Sequence, residues 1–538
     1  MLALPDTFNA ATWFVDRNVH EGRGAKVAIE CGDEHVTYRQ LLERVNRIGN
    51  VLRDQFDVRI EERVVLLLLD GPEFIYAFFG AIKIGAVPIP TSTLWKPSDY
   101  EYVLNDSRAR VAIVSEALLP QLEAVPRERL RYLKHVVAVG PKDLTGPAGL
   151  TRPALQSLMD AASSELEAEP TSKDDPAFWL YSSGSTGFPK GCVHLHHDMV
   201  VCTELYAKGI LQMTADDRCF SVAKLFFAYG LGNAMYCPFG VGATTILWPG
   251  SPAASNVYAV IEQYRPTLFF SVPTNYGMLL AHTRDGHDFN LSSIRHAVSA
   301  GESLPPALFE RFKQRFGIEI LDGIGSTEIL HIFISNRPGA IRPGSSGQIV
   351  GGYEARIVDE QNNDVPAGEI GNLLISGDST CACYWNKHDK TRATIEGRWI
   401  RTGDKYYQDA DGYYWYAGRS DDMLKVGGIW VSPVEVENAL IEHSAVQECG
   451  VGARADHDGL LKPYAFVVLR QGISGTPELA AELQQFVRTR LADYKRPRWV
   501  AFIAELPKTA TGKVQRYKLR ERAAAAKLEG RNSKAEVT

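Results

Sequence analysis

Short apolar runs and amphipathic stretches alternate along the first part of the chain. Residues 64–69 are six consecutive aliphatic residues, followed by an Asp-Gly-Pro turn. An apolar helical pattern then extends to Ile84, and a second apolar run covers residues 87–90. Strand, turn, helix and strand in this order predict a βαβ unit. Because similar alternation continues through residues 111–114 and 267–272, we expect one large layered α/β domain.

The pattern changes near residue 350. Short strand-like runs broken by Gly and Asp follow, at residues 355–358, 371–376 and 412–416, and they predict antiparallel β structure.

A different pattern follows residue 422. It predicts a helix near residues 434–441, strands near 446–451 and 465–469, and a helix over 477–491. The predicted fold class is therefore α/β, with a large N-terminal domain of residues 1–420 that combines layered α/β and β-rich parts. A small α+β domain covers residues 421–538, and we expect its Ala-rich end to be flexible after about residue 523.

Composition narrows the class of protein. The 538 residues are 45% hydrophobic and 23% charged, which is typical of a globular protein of two or more domains. The net charge of -6 gives no reason to expect nucleic acid or a membrane as a partner. No apolar run approaches the roughly 18 residues of a bilayer span, and no basic residue precedes Arg17 as a signal peptide would require. We expect a soluble, cytoplasmic protein whose eight dispersed cysteines are reduced.

The string Tyr-Ser-Ser-Gly-Ser-Thr-Gly-Phe-Pro-Lys-Gly at residues 181–191 carries the clearest chemistry. Its small residues allow close backbone approach, its hydroxyl and amide groups can donate to phosphate oxygens, and Lys190 adds a positive charge. The spacing is neither that of a Walker A loop nor that of a hydrolase nucleophile elbow. The string therefore predicts a different kind of phosphate-binding loop.

This string resembles the signature loop of the AMP-forming acyl- and aryl-CoA synthetases, which belong to the adenylate-forming superfamily. Four further strings occur in the order that the superfamily has: residues 322–328 resemble its adenine and magnesium motif, 401–404 its ribose motif, 418–422 its hinge, and 507–513 its terminal lysine motif. The resemblance spans residues 181–513. It implies ATP and Mg²⁺ as cofactors and coenzyme A as co-substrate.

The resemblance also implies a set of site residues. Those expected to contact ATP or AMP are Ser182, Ser183, Gly184, Ser185, Thr186, Gly187, Lys190, Gly301, Glu302, Asp322, Gly323, Ile324, Gly325, Ser326, Thr327, Asp404, Arg419 and Lys513. Thr186, Lys190, Glu328 and Lys513 are expected to act in catalysis, with Glu328 as the Mg²⁺ ligand. Asp404 can accept both ribose hydroxyls, and Arg419 can contact ribose or phosphate.

The resemblance implies two half-reactions: an aryl acid and ATP give aryl-AMP and pyrophosphate, and aryl-AMP and CoA then give aryl-CoA and AMP. The C-terminal domain is expected to serve both. By the resemblance it rotates on Asp421, so that one orientation presents Lys513 for adenylation and the other presents a thiol channel. The channel residues would be Lys425, Gly427, Gly428 and Trp430. Since acetylation removes a lysine's charge, we state as a hypothesis that a lysine acetyltransferase and deacetylase regulate Lys513. The sequence leaves monomer and homodimer open.

The substrate segments resemble the benzoate-CoA ligase branch. Phe227 stands where many relatives have His, and Ile324 where many have Tyr. The implied pocket is a short, flat slot for an aryl carboxylate, formed by Phe227, Ala228, Tyr229, Gly230, Ala300, Gly325, His331 and Ile332. No Asp occupies the Phe226–Phe227 segment, where amino-acid-activating relatives place an anchor for the substrate ammonium.

Several alternatives stay open. The resemblance implies benzoate as the acid, and a substituted benzoate, such as 2-aminobenzoate or a hydroxybenzoate, is an alternative because one small group changes discrimination by only about 1–3 kcal/mol. The enzyme could instead load a carrier protein, which an assay with free CoA would distinguish. A non-catalytic adenylate sensor is expected to have lost Lys190, Glu328 or Lys513, and all three are present. A luciferase-like oxygenase shares every motif and is distinguished by light emission or oxygen uptake.

We predict that Lys513→Ala abolishes formation of the acyl-adenylate but leaves CoA transfer from a supplied aryl-AMP largely intact. The reason is that only the first half-reaction builds charge between the attacking carboxylate and the α-phosphate. Separate assays of the two half-reactions measure this, and equal loss of both would contradict the two-orientation scheme.

Overall fold

The computed structural model describes residues 2–140, 144–145, 151–182, 188–284, 288–420, 422–426, 429–456, 461–508, 514–525 and 536–537. Its strands are Val27–Cys31 (β1), Glu34–Thr37 (β2), Arg63–Leu67 (β3), Val87–Pro90 (β4), Val111–Ser115 (β5), His135–Val139 (β6), Leu144–Thr145 (β7), Thr151–Arg152 (β8), Pro176–Ser182 (β9), Lys190–Leu195 (β10), Arg218–Ser221 (β11), Thr244–Ile246 (β12), Leu268–Ser271 (β13), His296–Ser299 (β14), Ile320–Gly325 (β15), Ile332–Ser335 (β16), Gln348–Ile349 (β17), Glu354–Val358 (β18), Gly371–Ser376 (β19), Cys383–Tyr384 (β20), Ile395–Glu396 (β21), Trp399–Gln408 (β22), Tyr414–Arg419 (β23), Leu424–Val426 (β24), Ile429–Val431 (β25), Val446–Ala455 (β26), Leu461–Leu469 (β27), Trp499–Phe502 (β28) and Glu536–Val537 (β29).

The α-helices are Tyr38–Asn50 (α1), Pro72–Lys83 (α2), Pro97–Asp106 (α3), Leu119–Glu123 (α4), Leu155–Ala161 (α5), Asp198–Cys202 (α6), Ala228–Leu231 (α7), Cys237–Val241 (α8), Ala254–Tyr264 (α9), Pro273–Ala281 (α10), Pro306–Phe316 (α11), His388–Thr394 (α12), Pro433–Ile441 (α13), Pro477–Arg488 (α14) and Arg516–Ala525 (α15). Short π-helical segments cover Thr12–Asp16, Val19–Arg23, Val51–Gln55, Thr203–Lys208 and Gly232–Tyr236. Short 3₁₀ segments cover Glu116–Leu118, Arg127–Arg129, Thr327–Ile329 and Asp493–Lys495.

Two sheets form the layered α/β part. A nine-stranded sheet has the order β17-β16-β15-β14-β13-β11-β12-β1-β2, with parallel pairing from β15 through to β1 and antiparallel pairing at both edges. A four-stranded parallel sheet has the order β4-β3-β5-β6. Strands β3 and β4 flank helix α2 in the chain and pair in parallel, so the predicted βαβ unit is confirmed.

Helix α2 is buried on nearly all sides because its sequence is apolar on all sides. Pro72 stands at its first position, and only Glu73 of its residues is not buried. Helix α1 approaches α2 closely at a pair of glycines. A Cβ on Gly80 would lie only 2.9 Å from the carbonyl oxygen of Val45, so a larger residue would force the two helices apart.

The β-rich part follows the predicted change of pattern. Strands β18, β19, β22 and β21 form an antiparallel sheet, and β23 pairs with β22. The run predicted near residues 412–416 is strand β23, which extends to Arg419 and so includes the start of the predicted hinge motif. A separate three-stranded sheet, β20-β10-β9, lies beside the predicted phosphate-binding loop.

The last part of the chain builds its own core. Strands β26 to β29 form a sheet, and two hydrophobic clusters consist only of residues between Leu424 and Ala523. This supports the predicted C-terminal domain, while the boundary at Asp421 stays a prediction because that residue lies outside the described part. The expected flexible tail after about residue 523 stays a prediction; α15 ends at Ala525, close to that point, and Ala523 is fully buried.

Within the described residues, no helix combines the length and the apolar character of a membrane span. The cytoplasmic location stays a prediction.

Lys83, at the end of α2, is buried with its charge. Its side chain is 1% exposed, and Nζ lies 2.6 Å from Asp16 Oδ1 and 2.7 Å from Asn46 Oδ1. We predict that Asp16→Ala lowers the free energy of unfolding by about 3 kcal/mol or more, since it leaves a buried ammonium without its counter-charge. Urea denaturation measures the loss. Asp6→Ala is the matched control: Asp6 pairs with Lys173 at 2.8 Å but is exposed, and an equal effect of both variants would contradict the account.

Candidate active site

Two paired strands stand on either side of the predicted phosphate-binding loop in the chain. Strand β9 ends at Ser182 and β10 begins at Lys190, and these two residues are register partners. The expected contacts at Ser183, Gly184, Ser185, Thr186 and Gly187 lie outside the described residues and stay predictions. After them, the Phe188 ring stacks on Tyr102 with the centroids 4.4 Å apart, which ties this end of the loop to α3.

Glu328 lies in the short 3₁₀ segment that follows β15. Its Oε1 accepts a hydrogen bond from the Tyr384 hydroxyl at 2.8 Å and another from Ser182 Oγ at 3.3 Å. Its backbone carbonyl accepts from the Cys381 amide at 2.7 Å. The structure thus brings the predicted Ser182 and Glu328 together, although 146 positions separate them.

A buried histidine contacts the backbone of the 3₁₀ segment that contains Glu328. His194 Nε2 lies 2.8 Å from the carbonyl oxygen of Thr327, and its Nδ1 lies 2.7 Å from Asp198 Oδ2. His194 and Asp198 are both fully buried. This pair links β10 to the backbone beside Glu328, so the position of Glu328 is fixed relative to β10.

The residues expected to bind the nucleotide follow two neighbouring strands. Ser299 ends β14 and pairs with Asp322 on β15, so the turn that contains Gly301 and Glu302 lies beside Asp322. Gly301 has φ of +88°, which favours glycine, and the carboxylate of Glu302 accepts from Thr274 Oγ1 at 2.9 Å. Burial raises the pKa of Asp322 well above its usual range. In parallel α/β sheets, ligands bind at the carboxyl ends of the strands, and the turn after β14 lies at such an end.

The expected ribose contacts also meet. Asp404 on β22 and Arg419 on β23 are register partners, and Arg419 Nη1 donates to Asp404 Oδ1 at 2.9 Å. The nearby charge of Asp404 is the main cause that raises the pKa of Arg419. Strand β15 contains three of the other expected nucleotide contacts, Gly323, Ile324 and Gly325. Two more, Ser326 and Thr327, follow the strand directly.

The expected acid pocket gathers at the start of α7 and at the turn between β15 and β16. The Tyr229 hydroxyl donates to the carbonyl of Val298, two residues before Ala300, and the Tyr229 and His331 rings lie 6.0 Å apart. Gly325 pairs with Ile332 across the two strands. A Cβ on Gly325 would lie 2.6 Å from the His331 carbonyl oxygen, so this approach requires glycine.

Other expected pocket residues take supporting positions. Ala228 and Gly230 lie in α7, and a Cβ on Gly230 would lie 2.1 Å from the carbonyl oxygen of Lys224. Phe227 precedes the helix, and its ring packs on Phe226 at 4.3 Å.

His331, another residue of the expected pocket, is deeply buried. The residue before it, Leu330, has φ of +72°, a conformation that non-glycine residues rarely adopt and that is often found at functional sites. His331 is only 2% exposed, and its Nε2 lies 3.1 Å from Asn233 Oδ1. Burial lowers the pKa of His331 to about 3, so the ring is neutral near pH 7. Sequence reasoning missed Asn233, for which no motif exists.

The expected CoA channel is described only in part. Strands β24 and β25 pair antiparallel with Lys425 opposite Trp430, so the backbone forms a hairpin here. Gly427, Gly428 and the side chains of Lys425 and Trp430 lie outside the description, as do Asp421 and Lys513. Their roles stay predictions.

Sequence reasoning also missed Tyr384, the residue that donates to Glu328. It lies opposite Cys192 across the β10–β20 pair, 192 positions away in the chain. No local spacing signals such a contact, so only the strand register reveals it.

The carboxylate of Glu328 is a suitable ligand for a magnesium ion. In the described part of the chain, both hydrogen bonds to this carboxylate end on Oε1, which leaves Oε2 for a metal. Mg²⁺ in nucleotide sites commonly uses one or two carboxylates and completes its shell with phosphate oxygens and water. One fixed carboxylate beside a phosphate-binding loop meets that requirement.

Comparison with known proteins identifies the family of the chain. The AMP-binding enzyme model matches residues 15–385, and the model of the AMP-binding enzyme C-terminal domain matches residues 435–513. The chain belongs to the AMP-binding enzyme family. It is 48% identical over 520 residues to a benzoate-CoA ligase of Thauera aromatica, which covers 96% of this chain and 97% of that protein.

Two solved structures are similar over nearly the whole chain. The anthranilate CoA ligase AuaEII in complex with anthranoyl-AMP is 46% identical with a TM-score of 0.92, covering 97% of this chain and 98% of that one. A benzoate CoA ligase from Burkholderia xenovorans LB400 is 45% identical with a TM-score of 0.86, covering 95% and 100%. The predicted fold class and the resemblance to the benzoate-CoA ligase branch are confirmed.

Two buried histidines make stability depend on pH. Burial lowers the pKa of His331 to about 3 and that of His196 to about 4, while an unfolded histidine titrates near 6.5. Between these values the unfolded chain binds protons that the folded protein does not, so stability falls as the pH decreases below about 6.5. Each histidine should cost about 2 kcal/mol at pH 5 relative to pH 7.

We predict that His331→Asn removes about 2 kcal/mol of the difference in unfolding free energy between pH 7 and pH 5. Urea midpoints at the two pH values measure it. The exposed His388 is the matched control, and His388→Asn should keep the full difference. An unchanged difference in the His331 variant would show that this residue is not held neutral.

Proposed function

We propose that the protein is an ATP-dependent, AMP-forming ligase that converts benzoate to benzoyl-AMP and then to benzoyl-CoA. The packing around His331, which we assign to the closed end of the acid pocket, supports the choice of acid. Tyr206, Tyr229 and Tyr236 surround this ring at centroid distances of 5.0, 6.0 and 6.1 Å. Asn233 holds the ring in place, and all of these residues are deeply buried or packed on the core.

Such an end favours a short, flat acid. Small residues at positions 228, 300 and 325 leave width for an aryl ring, and the neutral His331 offers its flat face or edge to that ring. A longer chain would have to displace a hydrogen-bonded, buried imidazole. The benzoate-CoA ligase of Thauera aromatica, 48% identical over nearly the whole chain, supports the same substrate.

A ring-substituted benzoate is the second candidate. The similarity to the anthranilate CoA ligase in complex with anthranoyl-AMP, with a TM-score of 0.92, favours 2-aminobenzoate among these acids. Tyr206 and Asn233 are buried beside His331 and carry polar groups, a hydroxyl and an amide, that could contact a polar substituent. Loading of a carrier protein in place of CoA is the third candidate.

The reaction begins with attack of a benzoate oxygen on the α-phosphate of ATP. This forms an oxygen–phosphorus bond, expels pyrophosphate, and converts the carboxylate into an acyl phosphate ester with AMP as leaving group. Lys190 and the amide groups of the loop neutralise the phosphates, and Lys513 neutralises charge at the attacked phosphorus. Asp404 and Arg419 hold the ribose, which fixes the α-phosphate relative to the acid pocket.

Glu328 would hold the Mg²⁺, which supplies charge neutralisation on the phosphate oxygens when it is bound. In the second half-reaction the thiol of CoA attacks the benzoyl carbonyl carbon, its proton is lost, and AMP leaves. We assign the approach path of the thiol to the segment of Lys425, Gly427, Gly428 and Trp430. We also propose that the C-terminal domain rotates about Asp421 and that acetylation of Lys513 regulates the enzyme. We further propose a cytoplasmic location and a monomeric or dimeric state.

Release of AMP with ATP, Mg²⁺ and CoA tests the substrate. The panel is benzoate, 2-aminobenzoate, 4-hydroxybenzoate, cyclohexanecarboxylate, phenylacetate and hexanoate. We expect the highest kcat/KM with benzoate. Preference for hexanoate or phenylacetate would contradict the pocket but keep the ligase chemistry, whereas AMP release that does not depend on CoA, with acyl transfer to a carrier protein, would favour the third candidate.

Alanine variants of Gly232 and Gly277 form a matched pair that tests the proposed pocket. A Cβ on Gly232 would lie 2.3 Å from His331 Cδ2 and 2.7 Å from the Tyr236 hydroxyl, so His331 must shift in Gly232→Ala. We expect the KM for benzoate to rise about tenfold while the KM for ATP stays within about twofold, because a pocket contact is worth about 1–3 kcal/mol. Gly277→Ala, where nothing lies within 4 Å of the new Cβ, should change neither. Equal KM values for benzoate in both variants would exclude His331 from the acid pocket.

A further inference from the structure

Tyr384 touches the two opposite charges of the site at once. Its hydroxyl donates to Glu328 Oε1 at 2.8 Å, and Lys190 Nζ lies over its ring, 4.5 Å from the centroid. The residue is 3% exposed, so neither contact is a chance encounter of mobile surface groups.

The backbone fixes this arrangement on both sides. Strand β20 pairs with β10, the strand that begins at Lys190, and places Tyr384 opposite Cys192. Three residues before Tyr384, the Cys381 amide donates to the Glu328 carbonyl at 2.7 Å. One short segment therefore holds both the main chain and the side chain of Glu328.

Neither contact places a countercharge against Glu328 or Lys190. The Tyr384 hydroxyl donates its hydrogen bond to Glu328 Oε1 as a neutral group. The face of the ring carries a negative partial charge and attracts the ammonium of Lys190 without a proton or a full countercharge. A direct pair between Lys190 and Glu328 would instead occupy the groups that phosphate and metal need.

We propose that Tyr384 is a positioning residue that keeps Glu328 and Lys190 oriented, and apart, for the joint binding of Mg²⁺ and ATP. This inference rests on the proposed roles of Glu328 toward the metal and Lys190 toward phosphate. Tyr384 itself touches neither substrate nor phosphate; it acts through the two residues that do.

Calorimetric titration of ATP in the absence of acid, with Mg²⁺ and with EDTA, tests the proposal by binding alone. The measured quantity is the gain in ATP affinity that Mg²⁺ provides. Tyr384→Phe keeps the ring but lacks the hydroxyl, and it should lower this gain about tenfold or more, as expected for loss of a hydrogen bond to a charged group. ATP affinity in EDTA should stay unchanged, because Lys190 keeps the ring.

Tyr384→Leu removes both contacts, so it should also weaken ATP binding in EDTA. Tyr258→Phe is the matched control, since this buried hydroxyl donates to the Leu279 carbonyl at 2.7 Å within a different hydrophobic cluster. The control should retain the full gain from Mg²⁺. A gain in Tyr384→Phe equal to that of the wild type and of the control would overturn the proposal.

A double-mutant cycle with Glu328→Gln separates positioning from general destabilisation. Glu328→Gln should itself abolish most of the gain, and Tyr384→Phe should then add no further loss, because its effect passes through Glu328. Additive losses would overturn the proposal, since they indicate independent damage. If Glu328→Gln keeps the full gain from Mg²⁺, the metal role of Glu328 fails and the inference fails with it. If Glu328→Gln loses the gain while Tyr384→Phe keeps it, only the inference fails.

Discussion

The fixed position of the Glu328 carboxylate is the constraint on which the rest of the site depends. Its contacts come from Ser182 at the end of β9 and from Tyr384 on β20, while the nine-stranded sheet supplies Glu328 itself just after β15. The His194 bond to Thr327 adds a fourth segment. A carboxylate held from several directions loses little further freedom when it binds a metal, so binding energy is not spent on ordering it.

Strand β15 joins the expected nucleotide contacts to the expected acid pocket. It carries Asp322, an expected nucleotide contact, and Gly325, an expected pocket residue, and Glu328 follows three residues later. Because the close approach of Gly325 to His331 depends on the β15–β16 pairing, a change in the register of these strands would disturb pocket, nucleotide contacts and metal ligand together. In the proposed function this strand would keep the acid and the α-phosphate at neighbouring positions, which is the main requirement for the first half-reaction.

The sequence predicted those features that are local in the chain. The βαβ unit around α2 and the antiparallel strands after residue 350 have clear patterns, and both are present. Strand lengths were less predictable: β26 runs to Ala455 and β27 begins at Leu461, because pairing between them continues past the apolar residues that marked their centres.

Site residues follow the same division. The expected site residues Lys190, Glu328, Asp404 and Arg419 stand in contiguous strings that the sequence makes visible. The contacts of Tyr384, Asn233 and the His194–Asp198 pair were not predicted. These residues act through contacts across strands or between helices, and no spacing in the sequence encodes such contacts.

The central claim is that the acid is activated as an adenylate. The most direct test is to supply benzoate labelled with ¹⁸O in its carboxylate, together with ATP, Mg²⁺ and CoA, and to determine by mass spectrometry where the label appears. Attack of the carboxylate on the α-phosphate predicts one ¹⁸O atom in the phosphate of the released AMP and none in pyrophosphate. Label in inorganic phosphate or pyrophosphate, or AMP without label, would contradict the account.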